Sequence, residues 1–316
     1  MRLDSRPAKS RQPILVVGTG AMACLFSARL AAAGCPVAIL GTWAEGLQAL
    51  QQYGVRVVEE DDRERAFTVR VVTDPLQCAG IRHALVLVKS WQTARAAEQL
   101  SQCLDPGGLA LTLQNGLGNR EQLAQVLGEE RVALGVTTAG ATLLGPGRVR
   151  PVGEALVTLS AHPRLQALAD TLQAAGFIIE TVSDPSALLW GKLVINAAIN
   201  PLTALLGVPN GELLVRPSAR LLMQSVALEA AAVAKATGVN LPYPDPLAAV
   251  EAVALRTAAN CSSMLQDIQR RAPSEIDAIC GAIVQAGEEV GVPVPVNRTL
   301  LHLVKALAVE VADPGQ

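Results

Sequence analysis

The chain has 316 residues, enough for about two domains of ordinary size. Half of its residues are hydrophobic but only 3% are aromatic, so any core is built mainly of Leu, Val, Ile and Ala. With 26 basic and 28 acidic side chains the formal net charge is −2. That balance offers no basic field for nucleic acid, and no polybasic run precedes an apolar anchor.

Six scattered cysteines, Cys24, Cys35, Cys78, Cys103, Cys261 and Cys280, form no C-x-x-C pair. They read as buried free thiols of a cytosolic protein, not as a disulfide framework or a metal site. The first twelve residues, MRLDSRPAKSRQ, are polar and read as a tail rather than a signal peptide. Residues 187–208 are long enough to cross a membrane but contain Lys192, Asn196, Asn200 and Pro201. A central Lys alone costs about 3 kcal/mol in a bilayer, so a span is rejected.

In chain order, Ile14–Val17 reads as a buried strand and residues 21–33 as an Ala-rich helix. Val37–Leu40 and Ala44–Tyr53 repeat the alternation. Residues 55–59 and 67–72 flank the charged stretch EDDRER and suggest a hairpin. Residues 84–88 and 109–113 are apolar runs, each followed by a helical pattern, and residues 132–138, 155–159 and 177–182 extend the sheet. This alternation predicts an α/β domain, a parallel sheet with helices on both faces. Beyond Asp184 the strand signal vanishes. Asp184-Pro185 reads as a helix start, an N-cap Asp followed by Pro at the first helical position. Helical patterns then cover residues 185–206, 210–237, 245–270 and 274–290. The expected organisation is a tail (1–12), a doubly wound domain (13–183) and an all-helical domain (184–316).

Gly18-Thr19-Gly20-Ala21-Met22-Ala23 directly follows the first strand and opens a helix. In this G-x-G-x-x-A turn the first Gly permits the tight bend and the second lets backbone approach a pyrophosphate. The third small residue lets helix pack on strand. The helix start offers N–H groups to phosphate. This context makes residues 13–183 an NAD(P)-binding Rossmann domain. The loop after the second strand reads Leu40-Gly41-Thr42-Trp43, with neither the acid usual for NAD nor the Arg frequent with NADP. It leaves the choice between NADP(H) and NAD(H) open.

In the second half, Lys192, Asn196 and Asn200 are spaced i, i+4, i+8 and share one helix face, with Trp190 nearby. One such residue alone would read as an exposed Lys or an interhelical hydrogen bond. The row, in a chain with a dinucleotide turn, reads as functional. A second polar cluster runs Asn260-Cys261-Ser262-Ser263-Met264, then Gln266-Asp267, with Glu275 twelve residues beyond Ser263 at a helix start.

The run WGKLVINAAINPLTALLGVPNGEL resembles the ketopantoate reductase (2-dehydropantoate 2-reductase) signature W-x-K-x3-N-x3-N-P-L-T with P-N-G-E-L. SSMLQDI and SEIDAICGAI resemble that family's second signature. LVLVKSWQT and TLQNGLGN resemble its Lys- and Asn-bearing loops, and EVGVPVPVN its C-terminal element. The resemblance covers residues 13 to about 305. It implies reduction of ketopantoate to (R)-pantoate in pantothenate biosynthesis, with NADP(H) as cofactor and Lys192 as proton donor. It implies that Asn196, Asn200, Asn210 and Ser263 bind substrate and that Glu275 stands near cofactor and Lys192. Lys89, Asn115 and Ala141 would touch the cofactor together with Gly18, Thr19, Gly20, Ala21, Met22, Ala23 and Thr42, and Asn115 would also face substrate. Ala23 replaces the third glycine, and Thr42 stands where an NADPH user often has Arg.

The implied partner is a small-molecule 2-oxo acid, with no nucleic acid, membrane or metal; the oligomeric state stays open, a homodimer included. Two rivals are weighed. A lactate-type dehydrogenase needs a catalytic His, and His83, His162 and His302 lie in no such motif. A redox sensor that binds NADP(H) without turnover would be expected to lack the Lys/Glu pair. A reductase of another 2-oxo acid on the same fold remains an alternative.

Overall fold

The structure is a computed structural model that describes residues 12–307; all but the last residue of the expected polar tail lies outside them. The chain forms two compact units. The first comprises residues up to 88, 92–114 and 120–183. The second takes residues 184 onward together with the short segments Lys89–Trp91 and Asn115–Asn119.

The first unit runs β1 (Ile14–Val17), α1 (Ala21–Ala32), β2 (Val37–Leu40), α2 (Ala44–Tyr53), β3 (Val55–Val58), β4 (Glu64–Phe67) and β5 (Arg70–Val72). It continues with β6 (Ile81–Val86), α3 (Thr93–Cys103), β7 (Leu104–Thr112), α4 (Asn119–Leu127), β8 (Val132–Thr137), β9 (Gly140–Gly145), β10 (Arg148–Val152), β11 (Leu156–Ser160), α5 (Gln166–Ala174) and β12 (Ile178–Val182). An eight-stranded sheet has the order β12-β11-β8-β7-β6-β1-β2-β5. Its pairs are parallel except β11 with β8. β1 is buried on both faces: Ile14 and Val16 join one apolar cluster, Leu15 and Val17 the other. Such a strand reads as a continuous apolar run because helices cover both sides of a parallel sheet. The order reverses about β1, with β2 on one side and β6 on the other. Open sheets of this kind bind ligands at the carboxyl end of the strands beside such a switch point.

Two expectations change here. The 55–59/67–72 hairpin exists as β3 and β4, with Val55 opposite Phe67, but Arg70–Val72 leaves it to pair with β2 in the main sheet. β9 and β10, which the sequence patterns miss, join β3 and β4 in a four-stranded sheet ordered β4-β3-β10-β9. This small sheet packs on α1. Its strands carry Gly, Pro and Arg and are mostly half-exposed, so no apolar run announces them.

The second unit is helical: α6 (Ser186–Leu206), α7 (Glu212–Val215), α8 (Pro217–Ala236), α9 (Pro246–Arg256), α10 (Ser263–Gln269), a π-helical turn (Asp277–Gly281), α11 (Ala282–Val290) and α12 (Pro295–Leu307). Asp184 Oδ1 accepts from the Ser186 N–H at 2.8 Å and so starts α6 as expected. The predicted helices 210–237 and 245–270 each break in two, the first before Pro217 and the second at residues 257–262. α12 was not anticipated. The core gathers Leu193, Val194, Ala197 and Ala198 of α6 with Met223, Val226 and Ala230 of α8. The apolar stretch of α6 is 67% buried by its neighbours. Five cysteines are buried free thiols, whereas Cys261 is exposed, against expectation.

Phe26 of α1 is fully buried and stacks on Phe177, with ring centroids 4.2 Å apart. Phe26→Ala is expected to cost about 3–5 kcal/mol of stability, the usual range for an emptied aromatic site. Urea unfolding followed by circular dichroism measures it.

Candidate active site

The first unit carries the glycine turn. Gly18 has φ +127°, and a Cβ there would come within 2.9 Å of the Leu87 carbonyl oxygen, so glycine is required. Its N–H donates to Leu40 O at 2.8 Å, fixing the turn to β2. At Gly20, in contrast, a Cβ would meet nothing within 4 Å, so that side of the turn is open. Gly20 caps α1 without a side-chain bond, and the first intrahelical bond is Cys24 N–H to Gly20 O at 2.9 Å. The N–H groups of Ala21, Met22 and Ala23 therefore have no acceptor within the helix. A turn closed at one glycine and open at the next, before free helix-start donors, fits a pyrophosphate. Ala23 sits fully buried against the sheet, where its methyl is accommodated. Thr19 is buried against Gly41, where any Cβ would approach Thr19 Cγ2 to 2.5 Å. Thr42 is exposed, and the Trp43 ring packs on Gly46. Ala141 lies half-buried on β9 opposite Pro151.

The second unit carries a polar cluster centred on Glu275, which is only 5% exposed. Its Oε1 accepts from the Ser90 N–H at 3.0 Å. Its Oε2 accepts from Asn115 Nδ2 at 3.4 Å and Lys89 Nζ at 3.5 Å. Lys89 Nζ also donates to Asp267 Oδ2 at 2.7 Å. Leu117 N–H donates to Ala278 O at 3.3 Å, and Gly116, at φ +86°, lies so near Ala278 that a Cβ would come within 2.3 Å of its carbonyl oxygen. The segments bearing Lys89 and Asn115 are thus part of the helical unit's own packing. Burial works to lower the Lys89 pKa, but Glu275 and Asp267 outweigh it and hold the ammonium above its ordinary range. Burial pushes Asp267 up, against the pull of Lys89.

Lys192 and Asn196 are half-buried on α6, and Asn200 is buried. Burial pushes Lys192 down to about 8, and the Glu275 charge works to raise it. An ammonium of this kind is poised to give a proton near neutral pH. The backbone around it is fixed: Tyr243 Oη donates to Gly191 O at 2.9 Å, and Pro242 leaves no room for a Cβ at Gly191.

This chain matches the model "Ketopantoate reductase PanE/ApbA" over residues 14–164 and "Ketopantoate reductase PanE/ApbA C terminal" over residues 185–308. The chain belongs to the ketopantoate reductase family. A relative named 2-dehydropantoate 2-reductase from Halobacterium salinarum is 35% identical over 92% of this chain and 97% of its own length. The crystal structure of a ketopantoate reductase family protein from Ralstonia eutropha JMP134 superposes with TM-score 0.86 at 34% identity, covering 94% of this chain and 98% of that one. D-mandelate dehydrogenase, solved with NADH and anilino(oxo)acetate, superposes with TM-score 0.88 at 26% identity over 94% of this chain and 98% of its own. Ketopantoate reductases are NAD(P)H-dependent oxidoreductases of pantothenate biosynthesis.

Within this family's expected residue set, Gly18, Thr19, Gly20, Ala21, Met22, Ala23, Thr42 and Ala141 lie in the first unit, the others in the second. The structure brings Lys89, Asn115 and Glu275 together, with Lys192 within reach of the Glu275 charge. Asn210 has a different setting. Its Nδ2 donates to Thr257 Oγ1 at 2.9 Å and its N–H to Asn260 O at 3.0 Å, so it holds the loop that leads to Ser263. Ser263 itself is exposed at the start of α10. One member of the cluster, the Ser90 N–H, escaped the sequence reading, and Asp267 was marked there only as part of a polar cluster, with no role. Asp267 had a signal: it follows Ser263 by four residues and so shares a face of α10 with it.

Asp267→Asn leaves burial of Lys89 opposed mainly by Glu275. The Lys89 midpoint is expected to fall, read by NMR titration of its side chain against the wild type. An unmoved midpoint would assign the whole effect to Glu275.

Proposed function

We propose that this chain reduces 2-dehydropantoate to (R)-pantoate in the cytoplasm, with NADPH as the preferred reductant and Lys192 as the proton donor. The observation that carries the reading is the convergence on Glu275. One buried carboxylate gathers Lys89, Ser90 and Asn115 and serves Lys192 as counter-charge. These are the residues that the family motifs bring to the chemistry.

The dihydronicotinamide, when bound, supplies the hydride. As charge builds on the C2 oxygen of the substrate, the Lys192 ammonium stabilises it and passes a proton to it. Glu275 keeps Lys192 protonated and is itself held in place by the Lys89 ammonium, the Ser90 N–H and the Asn115 amide. Asn196 and Asn200 present amides that both donate and accept, as a substrate hydroxyl requires, and Ser263 offers its hydroxyl to the substrate carboxylate. The turn from Gly18 to Ala23 holds the pyrophosphate, and Thr42 faces the ribose.

A second reading, reduction of another 2-oxo acid, is favoured by the likeness to D-mandelate dehydrogenase. Oxidation of NADPH and NADH with a panel of 2-oxo acids separates the two: 2-dehydropantoate has the highest kcat/KM on the first reading, an aromatic 2-oxo acid on the second. A sensor without turnover would oxidise neither cofactor.

Lys192→Ala is expected to lower kcat roughly 10²–10⁴-fold, the usual worth of a positioned acid, with little change in cofactor affinity. Because the acid must be protonated, kcat/KM for reduction falls as pH rises through about 8, the value to which burial brings Lys192. The same limb is absent from the residual activity of Lys192→Ala. Near wild-type turnover in that variant sinks the mechanism.

Thr42 offers only a hydroxyl to a 2′-phosphate, where an Arg would add charge-assisted bidentate bonds. The wild-type preference for NADPH over NADH is expected at about ten-fold in kcat/KM, about 1.4 kcal/mol, and Thr42→Arg raises it. A wild-type ratio above about a thousand, some 4 kcal/mol, would mean that another residue grips the phosphate.

A further inference from the structure

Pro201 stands inside α6, directly after Asn200. Having no N–H, it leaves the Ala197 carbonyl without its helical donor and loosens the helix where Asn200 must be held. Two residues on, the fully buried Thr203 reaches back across the same turn: its Oγ1 lies 3.0 Å from both Ile199 O and Asn200 O. The same oxygen lies 2.7 Å from Ser262 Oγ, on the residue before α10. Ser262 Oγ in turn accepts from the Leu265 N–H at 3.1 Å and caps α10. The protons of this chain can all be placed. The Ser262 hydroxyl donates to Thr203, the Thr203 hydroxyl donates to the carbonyls of the loosened turn, and Ser262 accepts from Leu265. The tie joins the backbone that carries Asn200 to the cap that precedes the exposed Ser263, and both hydroxyls of the tie are buried.

We infer that Thr203 and Ser262 form a buried hydroxyl pair that positions Asn200 and Ser263 relative to each other, so that Thr203 is a positioning residue for recognition of the 2-oxo acid. The inference rests on the reading that Asn200 and Ser263 bind that acid. Both hydroxyls of the pair are buried and bonded to each other and to backbone. A valine has the shape of threonine and would fill the same space, so the hydroxyl alone carries the effect.

The test measures KM and kcat for 2-dehydropantoate, NADPH affinity by titration, and the thermal midpoint, in Thr203→Val, Thr203→Ser, Ser262→Ala, Asn200→Ala and Ser263→Ala. Thr203→Val is expected to raise KM about ten-fold, the scale of one lost hydrogen bond. It should change kcat less and leave NADPH affinity unchanged, and Thr203→Ser should restore KM. Should Thr203→Val not fold, Ser262→Ala carries the same expectation, and combined with Thr203→Ser it should cancel the rescue. A lowered thermal midpoint with KM unchanged, in variants that do fold, makes the pair merely structural and overturns the proposal alone. Unchanged KM in Asn200→Ala and Ser263→Ala overturns the substrate reading, and the proposal with it.

Discussion

A carboxylate withdrawn from water must be compensated where it stands, and the arrangement around Glu275 follows from that constraint. Each of its two oxygens is engaged, one by the Ser90 N–H and the other by Asn115 and Lys89. Lys89 carries one positive charge but faces two carboxylates, Glu275 and the nearly inaccessible Asp267. Asp267 also pairs with Arg270 at 3.6 Å, and it is the Glu275 charge that Lys192 meets. Of the two ammoniums near Glu275, Lys192 is held less firmly in its charged state, since burial pushes it down while Glu275 and Asp267 hold Lys89 up.

The helix that carries Lys192 has a composition that alone is ambiguous. α6 is apolar enough, over 21 residues, to pass for a membrane span. Its apolar side chains meet α8, α10 and α12 instead. Pro201 then becomes intelligible. The missing N–H loosens the turn there, and the Thr203 hydroxyl adds bonds to the Ile199 and Asn200 carbonyls within one turn of the gap.

What was legible in the sequence was local. The glycine turn, the buried strands and the i, i+4, i+8 row each declare themselves within a dozen residues, because backbone conformation and facing are set at that range. What was not legible depends on partners far along the chain. Asp267 matters through Lys89, 178 residues earlier. α12 starts at a Pro-rich stretch, and its first N–H groups, on Val296 and Asn297, find their acceptor in Glu229 on α8. The four-stranded sheet pairs β3 with β10 across some ninety residues, and β9 and β10 carry Gly, Pro and Arg where an apolar run would announce a strand. The site follows the same division: Lys89, Asn115, Lys192, Asn200 and Glu275 were marked by motif, while the contacts among them, and the Ser90 N–H on Glu275, were not.

Asn210 illustrates how the two kinds of information combine. Its motif, P-N-G-E-L, follows the row on α6 and suggests another substrate contact. Its Nδ2 and backbone N–H are committed to Thr257 and Asn260, its Oδ1 is buried without a partner, and the adjacent Gly211 lies so close to Ala258 that a Cβ would sit 2.6 Å from the alanine methyl carbon. Asn210 and Gly211 thus clamp the front of the 257–262 loop, while Thr203 and Ser262 clamp its end. A loop secured at both ends by α6 and the turn that follows it delivers Ser263 with little freedom left to lose on binding. This favours recognition by a pre-formed site, because ordering a loop at the moment of binding would cost affinity. On the proposed function the motif residues of this stretch would act in series, some meeting the substrate and the others holding those residues in place.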